Sequence, residues 1–219
     1  ATANLPFGSV MGQGSSNVDN WASDNVWLMH PNENGKMVFY VNDGGTARSV
    51  QCDIVANSWH HYAGVASANS TKIYVDGVLV QTGPGISGTI MNNLSSVIHI
   101  GKDVRYDVGK PGDTRRYANM TIDEVRIWDR ALCKEEINNN MNCEPNAGLQ
   151  TGLEEYYRFN QGFVNGNNAG VTTLTDASGN SRNGTLNNFL LTGATSNWTA
   201  SGSTNTGTCA AFVAPTAPI

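Results

Sequence analysis

Pairs of turn-forming residues between short apolar runs constrain this chain more than any other feature. Asn34-Gly35 separates two such runs, and Asp76-Gly77 separates two more. Asn, Asp and Gly accept a positive φ at low cost, so these pairs mark tight β-hairpins when strand-like runs flank them. Two antiparallel hairpins are therefore predicted within the first 80 residues.

Further β-branched and aromatic runs recur along the chain, and helical periodicity is confined to one short stretch, residues 134–141. Repeated short runs bounded by Gly, Asn and Asp are typical of all-β domains. The predicted strands are residues 26–29, 36–41, 59–66, 72–75, 78–80, 97–100, 120–128 and 153–159, with weaker signals near Phe189 and Trp198.

The chain length predicts one large β domain, because all-β units of about 200 residues commonly form a single domain. We place this domain at residues 1–200, with core motifs at 26–132 and completing strands at 150–200. Residues 201–219 end in a stretch rich in Ala and Pro. That composition is typical of a linker or a tail.

Charge and hydropathy exclude several classes of partner. The chain has a formal net charge of -5 and only 14% charged residues, and it contains no run of Lys or Arg that could neutralise a phosphate backbone. It also lacks an apolar stretch of the roughly 20 residues that a membrane helix needs. We expect neither nucleic-acid binding nor membrane insertion, and a polar, weakly charged surface of this kind favours a secreted protein.

The four cysteines, Cys52, Cys133, Cys143 and Cys209, lack the C-x-x-C pairs of a zinc site. An even number in a secreted chain favours disulfides, and three pairings are possible. We favour Cys133–Cys143, which would enclose the short helix, together with Cys52–Cys209, which would hold the C-terminal segment. Buried free thiols are the alternative.

Four motifs in order resemble the laminin-G-like family of concanavalin A-like jelly-roll domains. A W-x-H-Y-type strand matches residues 57–62, and an I-Y-V-D-G hairpin matches residues 73–77. An I-G strand end matches Ile100-Gly101, and I-D-E-V-R-I-W-x-R-A-L matches residues 122–132. The resemblance implies a two-sheet antiparallel jelly-roll sandwich with one short helix.

Two later segments also resemble the family. Residues 153–159 are similar to its Y-Y-x-F strand, and residues 176–185 are similar to its D-x-S-G-x-x-x-N-G-T loop. In the family this pair often opens a domain, whereas here it follows the core, an order similar to that of multidomain surface proteins of Bacteroidetes-type bacteria. The family's opening strands, with their Phe-Asp-Gly element, are not found at the start of this sequence. Either residues 153–159 fill their place within the chain, which we favour, or another chain or a removed segment supplies the missing strand.

The resemblance implies a calcium site, since the family often binds this ion through a carboxylate at the start of the last long strand and through loop oxygens. Asp123 is the first candidate ligand, with Asp176 and Asn183 as further candidates. Oxygen ligands on glycine-rich loops suit calcium. The alternative is that Asp123 caps a strand or pairs with Arg126 or Arg130.

Sugar-binding sandwiches of this class use loops that combine aromatic rings with polar side chains. The loop at residues 102–117 carries such a set, although a merely solvated loop is the alternative. The tryptophans at positions 27, 59 and 128 lie in strand patterns and are predicted to be core. The candidate ligand-binding residues are Asp103, Arg105, Tyr106, Asp107, Arg115 and Tyr117.

Catalysis is not expected. The related glucanases place carboxylates two and four residues apart on one strand, and no E-x-D-x-E occurs here. Asp123-Glu124 and Glu154-Glu155 are adjacent pairs, so within a strand their side chains would point to opposite faces. The predicted function is non-catalytic extracellular adhesion or recognition, stabilised by calcium and directed to a glycan or a cell surface. The alternative is a structural subunit of a surface filament whose identical subunits pair their strands.

Overall fold

The computed structural model describes residues 8–13, 25–32, 34–43, 46–87, 97–103, 117–200 and 207–209. These residues are mostly antiparallel β-strands with one α-helix, as predicted. The chain divides into two compact units, residues 1–120 and residues 121–219, and each is described by itself. The predicted single domain over 1–200 with a tail at 201–219 stays a prediction.

Unit 1 contains a five-stranded and a three-stranded antiparallel sheet, with strand orders β4-β3-β2-β1-β8 and β5-β6-β7. Strand alternation places successive side chains on opposite faces, so each sheet offers one face to a core. The strands are β1 (Met11–Gln13), β2 (Asn25–Pro31), β3 (Lys36–Asp43), β4 (Ala47–Asp53), β5 (Tyr62–Ala66), β6 (Ser70–Val75), β7 (Val78–Pro84) and β8 (Ile98–Ile100).

Both predicted hairpins are confirmed. β2 and β3 pair from Pro31↔Met37 onward, and Gly35 takes a φ of 71° in their turn. β6 and β7 are joined by Asp76 and Gly77, with φ values of 49° and 75°. Two successive positive φ values define a type I′ turn, whose twist matches that of the flanking strands.

The core of unit 1 forms where the two sheets approach each other. Phe39 of β3 is buried, and its ring lies so close to Gly64 of β5 that a Cβ added to Gly64 would stand 2.4 Å from a ring carbon. Gly83 of β7 lies in the same way beside Val50 of β4. The fully buried side chains Leu28, Val41 and Ile73 complete this apolar layer.

Unit 2 contains two small antiparallel sheets and the helix. β9 pairs with β10, so the segment predicted at residues 153–159 pairs within the chain with the segment predicted at residues 120–128. The helix prediction at residues 134–141 is confirmed. The elements are β9 (Val125–Trp128), α1 (Lys134–Asn140), β10 (Leu153–Tyr157), β11 (Thr173–Leu174) and β12 (Gly184–Thr185), with 3₁₀ turns at Ala147–Leu149 and Gly193–Thr195.

Three strand predictions need correction. β5 begins at Tyr62 rather than at residue 59, because a turn at Asn57, with a φ of 64°, leaves the preceding residues in a loop. β9 begins at Val125 rather than at residue 120, because Glu124 has a φ of 54°. No strand forms at Phe189 or Trp198, whose rings instead pack against each other with centroids 5.0 Å apart.

The predicted disulfide pairing was wrong. Cys143 is bonded to Cys209, with Cα atoms 4.9 Å apart, whereas Cys52 and Cys133 are free. Cys133 caps the start of α1 and Cys143 follows its end. Seven helical residues span about 10 Å, too far for a disulfide. A parallel bridge between Glu144 and Thr208 instead brings the C-terminal segment beside Cys143, and Cys52 is buried within β4.

Candidate functional site

Trp59 is 41% exposed and lies in the loop between β4 and β5, so the prediction that it belongs to the core was wrong. Trp27 is buried as predicted. Trp128 is half-buried on β9, with the Arg130 guanidinium 5.6 Å from its ring centroid. The loop at residues 54–61 therefore presents an accessible indole.

A continuous chain of hydrogen bonds connects Ser58 and His60, the sequence neighbours of Trp59, with Asp76. Ser58 Oγ lies 2.8 Å from His60 Nε2, and His60 Nδ1 lies 2.8 Å from Asp76 Oδ2. A carboxylate only accepts hydrogen bonds, so Nδ1 carries the hydrogen in this contact. In a neutral imidazole Nε2 is then an acceptor, and the Ser58 hydroxyl donates to it.

The hairpin turn between β6 and β7 holds Asp76 in place. The His61 N–H donates to Asp76 Oδ1 at 2.9 Å, and the Asp76 N–H donates to His61 O at 2.9 Å. Burial raises the pKa of Asp76, but the hydrogen bonds from His60 and His61 outweigh it, so this pKa lies below its ordinary value. The carboxylate is fixed on both oxygens and stays ionised at neutral pH.

Exposed apolar side chains lie close in sequence to these polar groups. Val55 is 57% exposed at the start of the loop, and Val78, which follows the Asp76-Gly77 turn, is 61% exposed. We call Ser58, Trp59, His60 and Asp76 the Trp59 cluster. It combines an aromatic ring with fixed polar groups, the composition typical of small-ligand sites.

Sequence reasoning missed this cluster because its members are separated along the chain. His60 and Asp76 are 16 residues apart and meet only because Tyr62 of β5 pairs with Val75 of β6. The D-G hairpin and the W-x-H run were both recognised. The antiparallel pairing of Tyr62 with Val75, continued by one residue, places His61 opposite Asp76, so the hairpin register is the signal that could have indicated this cluster.

The predicted ligand loop is described only at its ends. Arg105, Tyr106, Asp107 and Arg115 lie outside the described residues. Lys102 and Tyr117 form an antiparallel bridge, the Ala118 N–H donates to Gly101 O at 2.8 Å, and Lys102 Nζ lies 5.8 Å from the Tyr117 ring centroid. Tyr117 is exposed, whereas Asp103 is fully buried. Tyr117 is thus accessible to a ligand, and the role of the loop stays a prediction.

Two of the three predicted calcium ligands lie together. The Asp176 N–H donates to Asn183 Oδ1 at 2.9 Å. The Asp176 carboxylate accepts hydrogen bonds from the backbone of Tyr156, Ser178 and Arg182 and from the Ser178 hydroxyl. Burial raises the pKa of Asp176, but these bonds lower it below its ordinary value. A carboxylate engaged by four protein donors would have to release them to bind a cation, so Asp176 fits a role in shaping its loop.

Asp123 accepts a hydrogen bond from the Glu124 N–H at 3.0 Å through Oδ1. Among the described residues no group of three or more His, Cys, Asp or Glu side chains is arranged to hold a metal ion. Calcium binding stays a prediction, with Asp123 as its first candidate ligand.

The paired carboxylates of unit 2 have separate structural partners. Glu124 accepts hydrogen bonds from the Tyr156 hydroxyl at 2.6 Å and from Arg126 at 2.5 Å. Glu154 forms an ion pair with Arg182, and Glu155 is buried beside the Tyr157 hydroxyl. Glu124, Glu154 and Glu155 are therefore each engaged by a different side chain of unit 2.

Residues 8–138 match the family model of the concanavalin A-like lectin/glucanases superfamily. The match covers more than half of the chain, which therefore belongs to this superfamily. The predicted laminin-G-like, concanavalin A-like fold, an all-β antiparallel jelly-roll sandwich, is confirmed.

Two solved structures resemble the chain at 21% identity. One is a Bacteroides ovatus ATCC 8483 protein for which carbohydrate binding has been proposed, with a TM-score of 0.57 over 83% of this chain and 47% of that chain. The chain thus spans about half the length of that protein. The other is an S-layer domain-containing protein from Clostridium thermocellum ATCC 27405, with a TM-score of 0.32 over 63% of this chain and 64% of that chain. Among curated protein sequences, none matches the chain. No helix in the described part of the chain is both long and apolar enough to cross a bilayer.

Proposed function

We propose that this chain is an extracellular, non-catalytic recognition domain that binds carbohydrate at the Trp59 cluster. The observation that carries the proposal is the exposed Trp59 indole, whose two sequence neighbours, Ser58 and His60, are hydrogen-bonded to each other. Membership of a superfamily that includes lectins supports it, as does a structural neighbour for which carbohydrate binding has been proposed.

The chemistry of the cluster suits a sugar. The C–H face of a pyranose is apolar and packs on an aromatic ring, while its hydroxyls need fixed hydrogen-bond partners. Trp59 offers the ring, and Ser58 and Asp76 offer oxygens whose positions are set by hydrogen bonds. Because these groups are ordered before binding, little side-chain entropy is lost when a ligand is bound.

A Ser-His-Asp chain also occurs in nucleophilic hydrolases, but its setting here favours recognition. Ser58 and Asp76 are both exposed, and the Asp76 side chain is 51% accessible. Acyl transfer depends on stabilising an oxyanion in a site from which water is excluded. Treatment with a fluorophosphonate should therefore leave Ser58 unlabelled, as intact mass would report, and stoichiometric labelling at Ser58 would contradict a purely binding role.

Glycan-array binding followed by calorimetric titration tests the proposal. Trp59→Ala should weaken binding to the array hits by roughly tenfold or more, because it removes the stacking ring, whereas Trp59→Phe should retain part of the affinity. Phe163→Ala is a matched control, since Phe163 is an exposed aromatic residue of unit 2, 74% accessible. Equal affinities of wild type and Trp59→Ala would refute the site.

We further propose that calcium stabilises the domain through Asp123. The family resemblance motivates this step, and hard oxygen ligands are those that calcium prefers. The melting temperature should rise when calcium replaces a chelator, and Asp123→Asn should reduce that rise. An identical melting temperature in calcium and in chelator would refute the calcium site.

The Cys143–Cys209 disulfide supports an extracellular location, because structural disulfides persist in oxidising compartments. Free-thiol counting on native material tests this point. Two free thiols per chain, Cys52 and Cys133, are expected, and four would contradict it.

The alternative function, a subunit of an assembly of identical chains, has one supporting observation. β7 is an edge strand of its sheet, and its first three residues, Val78, Leu79 and Val80, are apolar and exposed. Exposed apolar edge strands are sites of strand pairing between chains. Light scattering on native material tests this alternative. Assemblies that dissociate in the Val80→Lys variant would support it, and a protein that is monomeric at all concentrations would exclude it.

A further inference from the structure

The hydrogen bonds of the Trp59 cluster determine which groups its side chains still present to a ligand. The Ser58 hydroxyl has one hydrogen, for which His60 Nε2 at 2.8 Å and the Val55 carbonyl oxygen at 3.5 Å are the acceptors. The two Asp76 oxygens receive hydrogens from His60 and from the His61 N–H and keep their remaining lone pairs. Ser58 and Asp76 can therefore only accept further hydrogen bonds.

A negative charge stays at this cluster. Asp76 is held ionised and half exposed, and among the described residues His60 and His61 act on it electrostatically. Lys36, a cation of the same unit, forms an ion pair with Asp53 at 2.5 Å. The chain as a whole carries a formal net charge of -5.

We propose that the Trp59 cluster selects neutral or amino sugars and rejects glycans that carry uronate or sulfate groups at the contacting residue. Sugar hydroxyls and ammonium groups supply the hydrogens that Ser58 and Asp76 need. A carboxylate or sulfate has no hydrogen to donate at neutral pH, and it also meets the charge of Asp76. This inference rests on the proposed carbohydrate binding and adds the ligand class to it.

The expected discrimination is moderate. Two like charges about 4 Å apart repel each other in water by an amount that lowers affinity roughly fivefold, and by more where the ligand excludes water. The effect should shrink as salt rises, because the charges are at the surface. Replacing the Asp76 carboxylate with a neutral amide, which can also donate hydrogen bonds, would remove this repulsion of anionic ligands.

The test is an array at pH 8 that displays neutral glycans, amino sugars and their uronate and sulfated counterparts on the same linkages. Wild type, Trp59→Ala and Asp76→Asn are compared, and Asp53→Asn serves as the control because Asp53 is an exposed carboxylate of the same unit, 81% accessible. Asn at position 76 also tolerates the positive φ of the turn.

The wild type should bind neutral or amino glycans at least fivefold more tightly than their anionic counterparts, in a manner that depends on Trp59. Asp76→Asn should bring the two classes to similar affinity, and Asp53→Asn should not. Trp59-dependent binding with equal or greater affinity for anionic glycans would overturn the ligand class and leave the proposed function standing. Glycan binding that Trp59→Ala leaves unchanged, or no binding to any glycan on the array, would overturn the proposed function itself and the ligand class with it.

Discussion

At the residue scale, Glu155 of β10 shows how a buried acid is accommodated. The Tyr157 hydroxyl lies 2.9 Å from Glu155 Oε2 and 2.6 Å from Arg182 O, yet it has only one hydrogen. A protonated Glu155 can donate to the Tyr157 oxygen and leave the Tyr157 hydrogen to Arg182 O, whereas an ionised Glu155 accepts that hydrogen in competition with Arg182 O. Burial raises the pKa of Glu155, and Asp176 and Glu154 add to this effect while Tyr157 and Arg182 oppose it.

Glu155→Gln should therefore stabilise the protein at neutral and alkaline pH. The folded-state pKa of Glu155 lies above the unfolded one, so its stabilising contribution is full in acid and is lost as pH rises through the folded value. The amide keeps the donor and cannot ionise. Thermal melts at several pH values should show that the melting temperature of Glu155→Gln, relative to that of wild type, increases with pH.

The control is Glu154→Gln, which removes a partly exposed ion pair with Arg182. Exposed pairs of this kind contribute little, on the order of 0–1 kcal/mol. A Glu155→Gln protein that is less stable than wild type at every pH would show that Glu155 is ionised in the folded state.

At the element scale, local turn chemistry made the two hairpins and α1 predictable. The sequence signal for each of these elements lies within a few neighbouring residues: Asn34-Gly35 and Asp76-Gly77 for the hairpins, and the short helical stretch for α1. β1 and β4 were not predicted. β1 has only three residues, and β4 buries only Val50 and Cys52, so neither forms a run of apolar residues that stands out in the sequence. Trp59 was misplaced because its run has strand composition, whereas β5 begins only at Tyr62, after a turn at Asn57 whose positive φ that composition does not reveal.

Gly64→Ala tests the packing of the two sheets in unit 1. The new Cβ would stand 2.4 Å from a Phe39 ring carbon, and Phe39 is a buried side chain with little freedom to move. Overpacking of this kind costs about 1–3 kcal/mol. Denaturant unfolding should show this loss relative to wild type.

Gly170→Ala is the matched control, since nothing lies within 4 Å of the Cβ that it would add. The control should unfold at nearly the same denaturant concentration as wild type. If Gly64→Ala matched it, the close contact between β3 and β5 would be absent in solution.

At the scale of the whole molecule, the motifs of the family indicated the fold because they report local strand and turn sequences in a fixed order. The disulfide and the Trp59 cluster could not be predicted in this way. Both depend on non-local pairing: Cys143 meets Cys209 across 66 residues, and His60 meets Asp76 across a hairpin. Spacing alone allowed three ways to form two disulfides, whereas the structure has the Cys143–Cys209 disulfide and leaves Cys52 and Cys133 as free thiols.

Removing the disulfide should destabilise the protein substantially. A link across 66 residues restricts the unfolded chain by an amount worth on the order of 4 kcal/mol in the loop-entropy model. The Cys143→Ser/Cys209→Ser double variant should melt well below wild type, and reductant should lower the wild-type melting temperature but not that of the variant. Cys133→Ser, which removes an exposed free thiol, should melt as wild type does, with the same response to reductant. A double variant as stable as wild type would contradict the pairing.

The central claim is that carbohydrate meets the protein at Trp59, and the indole N–H signals in an NMR titration test it directly. The Trp59 signal is assigned from its loss in Trp59→Phe, and the oligosaccharide added is the strongest neutral hit of the array. The account predicts that the Trp59 signal shifts with ligand concentration while those of the buried Trp27 and Trp198 stay in place. A ligand that binds while the Trp59 signal does not move would contradict it.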